Sequence, residues 1–195
     1  MKKTLHIYMA LCTVLVTASL IAGLWLLVSV DEPRNSYHSA NYRAALAKFP
    51  AQPASESAIA NFSKVYEDLI APTLAESVDS LYADPLYFND TFNTFESRAE
   101  LRDYLVHTAE NLSRSTVVID DMARSGNDVY LRWTMTITAQ VKGKTIDSES
   151  IGITHLRFNS NGQVVVHQDY WDGVDGFYQH IPYVGLPIKL IREQL

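Results

Sequence analysis

One cysteine, Cys12, occurs in 195 residues, so the chain can form neither an intrachain disulfide nor a cysteine-based zinc site. Because Cys12 lies inside an apolar run, no thiol is offered for nucleophilic chemistry, and a GxSxG elbow and a glycine-rich phosphate loop are both missing. Basic charge is scarce as well. Lys and Arg number 16 against 22 Asp and Glu, a formal net charge of −6, which leaves no footprint for nucleic acid. Histidines do not gather: His38, His107, His155 and His180 fall in unrelated segments, and His167 with Asp169 finds no third ligand at metal-binding spacing. Neither a metal nor a cofactor is expected.

Charge is also missing from Ile7 to Val30, 24 residues that as a helix would reach about 36 Å and cross a bilayer. Lys2 and Lys3 precede the run, Asp31 and Glu32 follow it, and Tyr8 and Trp25 sit near its ends. This pattern predicts a single-pass anchor with residues 1–6 cytoplasmic and the rest extracytoplasmic, periplasmic in a bacterium. A cleaved signal peptide is the rival. Val16–Ala18 offers a small-residue site, but the apolar stretch continues well past it. Residues 31–55 mix Pro, Ser and Ala with isolated charges and read as a linker, with one short helix at SANYRAALAKF.

From Ser57 the apolar spacing is helical, through Ile59, Phe62, Tyr66 and Leu69. A second helix follows Pro72 and carries Leu74, Val78 and Leu81. A third opens at Ser97, paired with Glu100 in a capping-box pattern, and continues through Leu101, Tyr104, Leu105 and Leu112. PLYFNDTF between the last two reads as a short strand with a turn. Beyond residue 115 the period becomes two: in DVYLRWTMTITAQV, Val129, Leu131, Trp133, Met135, Ile137, Ala139 and Val141 alternate with polar residues. Turn signals at SGND, KGK and NSNG divide residues 115–172 into a four-strand meander. Its last strand, VVVHQDYWD, places His167, Asp169 and Trp171 on one face. The predicted class is α+β, a strongly curved antiparallel sheet wrapped around three helices over residues 56–175, with an open mouth suited to a small apolar ligand. Residues 176–195 form an apolar tail, for which three uses stay open: covering the sheet edge, forming a homodimer surface, or lying on the membrane.

Two stretches carry a resemblance. LYADPLYFND, residues 81–90, is similar to the ketosteroid isomerase segment that ends in its general-base aspartate, and THLRFNSNGQVV, residues 154–165, is similar to that enzyme's penultimate strand and hairpin. With the element order, they resemble the nuclear-transport-factor-2-like cone fold that also holds the SnoaL-like polyketide cyclases. The resemblance implies that Asp90 stands at the catalytic base and Tyr66 at the oxyanion-hole tyrosine. It puts Thr154 where the isomerase has a protonated aspartic acid, a departure that weakens dienolate stabilisation. It also implies that His167, Asp169 and Trp171 line the cavity. On the residues alone, Asp90 reads more readily as a turn cap than as a base, and His167 equally as a satisfied core residue, while Trp133 and Trp171 are wall residues. Two functions compete: cofactor-free acid/base chemistry using Asp90 or Asp169, His167, Tyr66 and Thr154, or a non-catalytic ligand-binding or protein-interaction module of the cell envelope.

Overall fold

The computed structural model describes residues 38–141, 143–181 and 184–194. The apolar run Ile7–Val30 lies outside the described residues, and among those described no helix is long and apolar enough to cross a membrane. The chain divides into a unit ending at Asn41 and a compact unit starting at Tyr42. Of the first, only residues 38–41, the opening turn of helix α1 (His38–Lys48), are described.

In the compact unit, α2 (Glu56–Glu67) and α3 (Leu74–Leu81) are followed by β1 (Tyr82–Asn89), β2 (Thr94–Phe95) and α4 (Arg98–Glu110). Four long strands then come in succession: β3 (Leu112–Ser125), β4 (Asp128–Val141), β5 (Lys144–Phe158) and β6 (Val164–Trp171). The expected order of helices and strands is therefore found, including the meander. Three sequence readings change at the boundaries. Ser55 caps α2 by accepting from the Ala58 N–H. Ser97 stands at the N-cap of α4, but its side chain makes no capping bond. Leu112 leaves the helix and opens β3.

All six strands form one sheet in the order β2-β1-β6-β5-β4-β3. The pairs along the meander are antiparallel, whereas β1 joins β6 in parallel and places Phe88 beside His167. Pro85 falls within the register shift between Tyr82 and Tyr87, as expected of a residue with no N–H for the ladder. The inner face of the sheet meets the apolar faces of α2, α3 and α4 in one cluster that includes Phe62, Val78, Leu101, Leu131, Leu156 and Phe158. Burying each such side chain contributes about 1.5–3 kcal/mol.

Residues 42–54, which fall within the segment read as a linker, lie on the outer face of the sheet. Tyr42, Ala45, Leu46 and Phe49 pack with Tyr87 and Val166, and Gln52 bridges to Phe158. Arg157 donates to the carbonyls of Leu46 (2.7 Å) and Phe49 (3.0 Å), satisfying the end of α1. Beneath it, His155 bonds Tyr42 through Nδ1 (2.7 Å) and Asp128 through Nε2 (2.6 Å), with Arg157 on the same carboxylate at 2.5 Å.

The tail forms α5 (Gly173–Gly176), a 3-10 turn (Tyr178–His180) and α6 (Gly185–Arg192). Phe177 and Tyr178 pack against Phe92, so the first part of the tail does cover the domain. Leu186, Leu190 and Ile191 of α6 do not, since they are exposed.

Candidate functional site

Strand β4 sends Trp133, Met135, Ile137 and Ala139 to the inner face, a stripe roughly 20 Å long at 3.3 Å per residue. Between this stripe and helices α2 and α4 lies a cavity of about 500 Å³. Its walls are mostly apolar and aromatic, including Phe62, Phe88, Phe92 and Phe177, with Tyr66, Asp90, Tyr104, Thr154 and Asp169 as polar members. A larger open depression of about 1070 Å³ runs between α2, α3 and the start of β3, but no predicted site residue reaches it.

Trp133 and Trp171 both line the cavity, and Gly152 makes their meeting possible. A Cβ on Gly152 would fall 2.3 Å from Cζ2 of Trp133 and 2.8 Å from Cβ of Trp171. The glycine, paired with Trp171 on β6 and with Trp133 on β4, is the small residue that lets two indoles share one stretch of wall.

Asp169 lies at the junction of two hydrogen-bonded arms. Trp133 Nε1–H donates to Thr154 Oγ1 (2.8 Å), and the threonine hydroxyl donates to Asp169 Oδ1 at 2.5 Å. His167 Nε2 meets the same oxygen at 2.9 Å. Its Nδ1 is 2.7 Å from the Tyr82 hydroxyl, which is 2.5 Å from that of Tyr66. With Asp169 ionised and the imidazole neutral, each hydrogen has one place: Nε2–H donates to Asp169, Tyr82 to Nδ1, and Tyr66 to Tyr82. Both arms then point at Oδ1, and Oδ2 has no partner among the described residues. Burial, foremost, raises the Tyr66 and Tyr82 hydroxyls well above the usual phenol range, so both stay protonated as links in this chain.

His167 itself does not line the cavity, which corrects the expectation drawn from the strand pattern. It is 1% exposed, enclosed by the rings of Phe62, Tyr66, Tyr82 and Phe88, and stands behind the lining residues Phe62, Tyr66, Phe88 and Asp169. The alternation in VVVHQDYWD placed it on the correct face, but α2 and β1 pack over it.

Asp90 reaches the cavity in a different setting. Its Oδ1 accepts from the backbone N–H groups of Phe92 (2.9 Å) and Asn93 (2.7 Å), and its Oδ2 from the Tyr104 hydroxyl (2.5 Å). The carboxylate thus caps the turn after β1, in which Thr91 takes a φ of +76°, a left-handed conformation costly for a β-branched residue. Trp171 Nε1–H donates to the Asp90 carbonyl at 2.9 Å. Burial raises the Asp90 carboxyl above its ordinary range, partly offset by the Tyr104 and backbone hydrogen bonds and reinforced by Asp169.

Of the predicted residues, Tyr66, Asp90, Trp133, Thr154, Asp169 and Trp171 line one cavity. Tyr82 and Tyr104 were not singled out for the site. Tyr82 is the residue after α3 and the first of β1, where neither helical nor strand periodicity marks it, and Tyr104 reads simply as an apolar-face residue of its helix. Ser115 was also missed. Its Oγ is the one buried side-chain polar atom without a partner among the described residues. No group of three or more His, Cys, Asp or Glu able to hold a metal ion occurs among them.

The comparisons agree with the geometry. The family model for the SnoaL-like domain matches residues 63–167. Among solved structures, a protein assigned as a SnoaL-like polyketide cyclase from Shewanella denitrificans superposes with a TM-score of 0.54 at 16% identity, covering 62% of this chain and 91% of its own. A protein with a ketosteroid isomerase-like fold from Catenulispora acidiphila, in complex with trimethylamine, gives 0.54 at 16% identity over 66% and 95%. An LEH-like epoxide hydrolase from M. tuberculosis gives 0.51 at 16% over 70% and 94%. These likenesses establish the fold. No curated protein matches the chain.

Proposed function

Because the chain belongs to the SnoaL-like domain family, we propose that its cavity binds a small, largely apolar molecule and that Asp169 acts on it as a cofactor-free general base. One observation carries this reading: two hydrogen-bonded arms fix Oδ1 of Asp169 and leave Oδ2 without a partner among the described residues, at the wall of an apolar cavity. A carboxylate held in one orientation among apolar groups is suited to removing a proton from carbon beside a carbonyl. Asp169 gains that proton, and the electron pair moves to the carbonyl oxygen.

The return step uses the same carboxyl. Asp169 gives its proton back to a carbon of the substrate's extended enolate as the electron pair returns from the oxyanion to re-form the carbonyl, which restores the carboxylate and leaves the hydrogens of His167, Tyr82 and Tyr66 where they were. His167 and Tyr82 are positioning residues in this scheme. Asp90, whose oxygens already accept from the turn and from Tyr104, is the weaker candidate base, in contrast to its place in the isomerase resemblance.

We further propose that Ile7–Val30 anchors the chain in a membrane with the domain outside the cytoplasm, a reading supported by the length of the run and its flanking charges. To test the catalytic proposal, small molecules co-purifying with the full-length chain are identified by mass spectrometry and incubated with the protein in D2O. Deuterium entering the molecule with wild type and at least 100-fold more slowly with Asp169→Asn supports the base. Equal rates overturn it and leave a binding module.

A further inference from the structure

Several carboxylates elsewhere in the domain meet cations. Asp128 is paired with Arg157, Asp79 with Arg98 and Arg102, Glu56 with Arg124, and Asp175 with Arg192. Asp90 and Asp169 differ: both border the cavity, no Lys or Arg lines it, and neither carboxylate has a Lys or Arg partner among the described residues. His167, behind Asp169, and His107, exposed at the rim with Glu110, are the imidazoles nearest the cavity. An apolar enclosure with two carboxylates and no Lys or Arg among its described lining residues is short of positive charge, because charge taken from water demands a partner. A free acid, a phosphate ester or a sulfate would add to the imbalance.

Resting on the proposal that this cavity takes a small molecule, we infer that the molecule is an apolar amine, held as its ammonium ion at the Asp90–Asp169 end. Three features fit that class. A carboxylate offers about four acceptor positions; Asp90 uses three and Asp169 two, leaving room for ligand N–H groups. The wall at that end is aromatic, with Phe92, Tyr104, Trp171 and Phe177, and ring faces attract ammonium groups. The remaining stripe, Met135, Ile137 and Ala139, is apolar and suits a hydrocarbon body. Among the described residues a bare metal ion would find too few ligands here.

The test compares phenylbutylamine, phenylbutanol and phenylbutanoate, three molecules of one skeleton, titrated into the purified full-length chain at pH 7 with tryptophan fluorescence and calorimetry as readouts. The amine is expected to bind at least tenfold tighter than the alcohol, the carboxylate not at all, and Asp169→Asn to remove most of the amine's advantage. Asp90→Asn, whose amide oxygen can still accept from the turn, serves as a second variant should Asp169→Asn fail to fold. Alcohol binding as tightly as the amine, or binding of the carboxylate, overturns the inference while leaving the cavity a ligand site. Absence of binding by all three overturns the inference and counts against the small-molecule reading on which it rests.

Discussion

Thr154→Val removes the hydroxyl that joins Trp133 to Asp169 while keeping the side-chain volume. Thr154 is 2% exposed, and its Oγ accepts from the indole N–H at 2.8 Å and donates to Asp169 at 2.5 Å. After substitution, the Trp133 N–H is left without an acceptor, a loss of about 1–3 kcal/mol for a buried donor, and Asp169 loses a hydrogen bond to a charged group, about 1.5–3 kcal/mol. The two losses share one hydroxyl, and cavity water can serve Asp169 in part, so the expected net destabilisation is about 2–4 kcal/mol. Thr154→Ser keeps the hydroxyl and deletes one methyl, which costs about 1 kcal/mol. Urea unfolding of the full-length chain, followed by tryptophan fluorescence and near-ultraviolet circular dichroism, separates the two variants. A loss below about 0.5 kcal/mol for valine, or equal losses for valine and serine, would refute the two-armed support of Asp169.

Gly152→Ala forces a methyl group into the indoles of Trp133 and Trp171; a destabilisation of about 1–3 kcal/mol by urea unfolding is expected, with loss of ligand retention. Acidification should weaken the fold in two stages. Burial, outweighing Asp128, holds the His155 imidazole below its usual range, so its contribution is present above about pH 6.5 and lost as pH falls through the folded-state value. Burial pushes the Asp128 carboxyl up, but hydrogen bonds from Arg157 and His155 bring it below its ordinary range, so that contribution is lost at still lower pH, under about 4. His155→Gln should flatten the upper stage of a plot of urea midpoint against pH; an unchanged plot rejects this assignment. Asp90 has the opposite sign. Its raised carboxyl costs stability as pH climbs above about 4, so Asp90→Asn should match or exceed wild-type stability at pH 7, and a clear loss there would contradict the reading.

Periodicity made the scaffold legible because its elements are long and one-sided. The alternation in β4 maps onto the cavity floor residue by residue, and the helical spacing of Ile59 and Phe62 matches the buried face of α2. The site was legible wherever a side chain points inward from such an element, as with Tyr66, Thr154, Asp169 and Trp171. Depth was not. Whether His167 meets the cavity or lies behind its wall depends on Phe62 and Tyr66 from α2 and on Phe88 from β1, contacts between segments far apart in the chain. The parallel pairing of β1 with β6 escaped for the same reason, since it is set by long-range register. Helix α1 was visible as a helix, but its weak amphipathic pattern gave no sign that Arg157 and His155 fasten it to the outer face.

The central claim, an open cavity with Asp169 at its wall, is tested most directly by native mass spectrometry of the full-length chain beside Met135→Trp, whose indole would occupy the cavity floor. The account predicts a small apolar adduct on the wild-type protein that the variant lacks while remaining folded by circular dichroism. The same adduct on both proteins, or none on either, would contradict it.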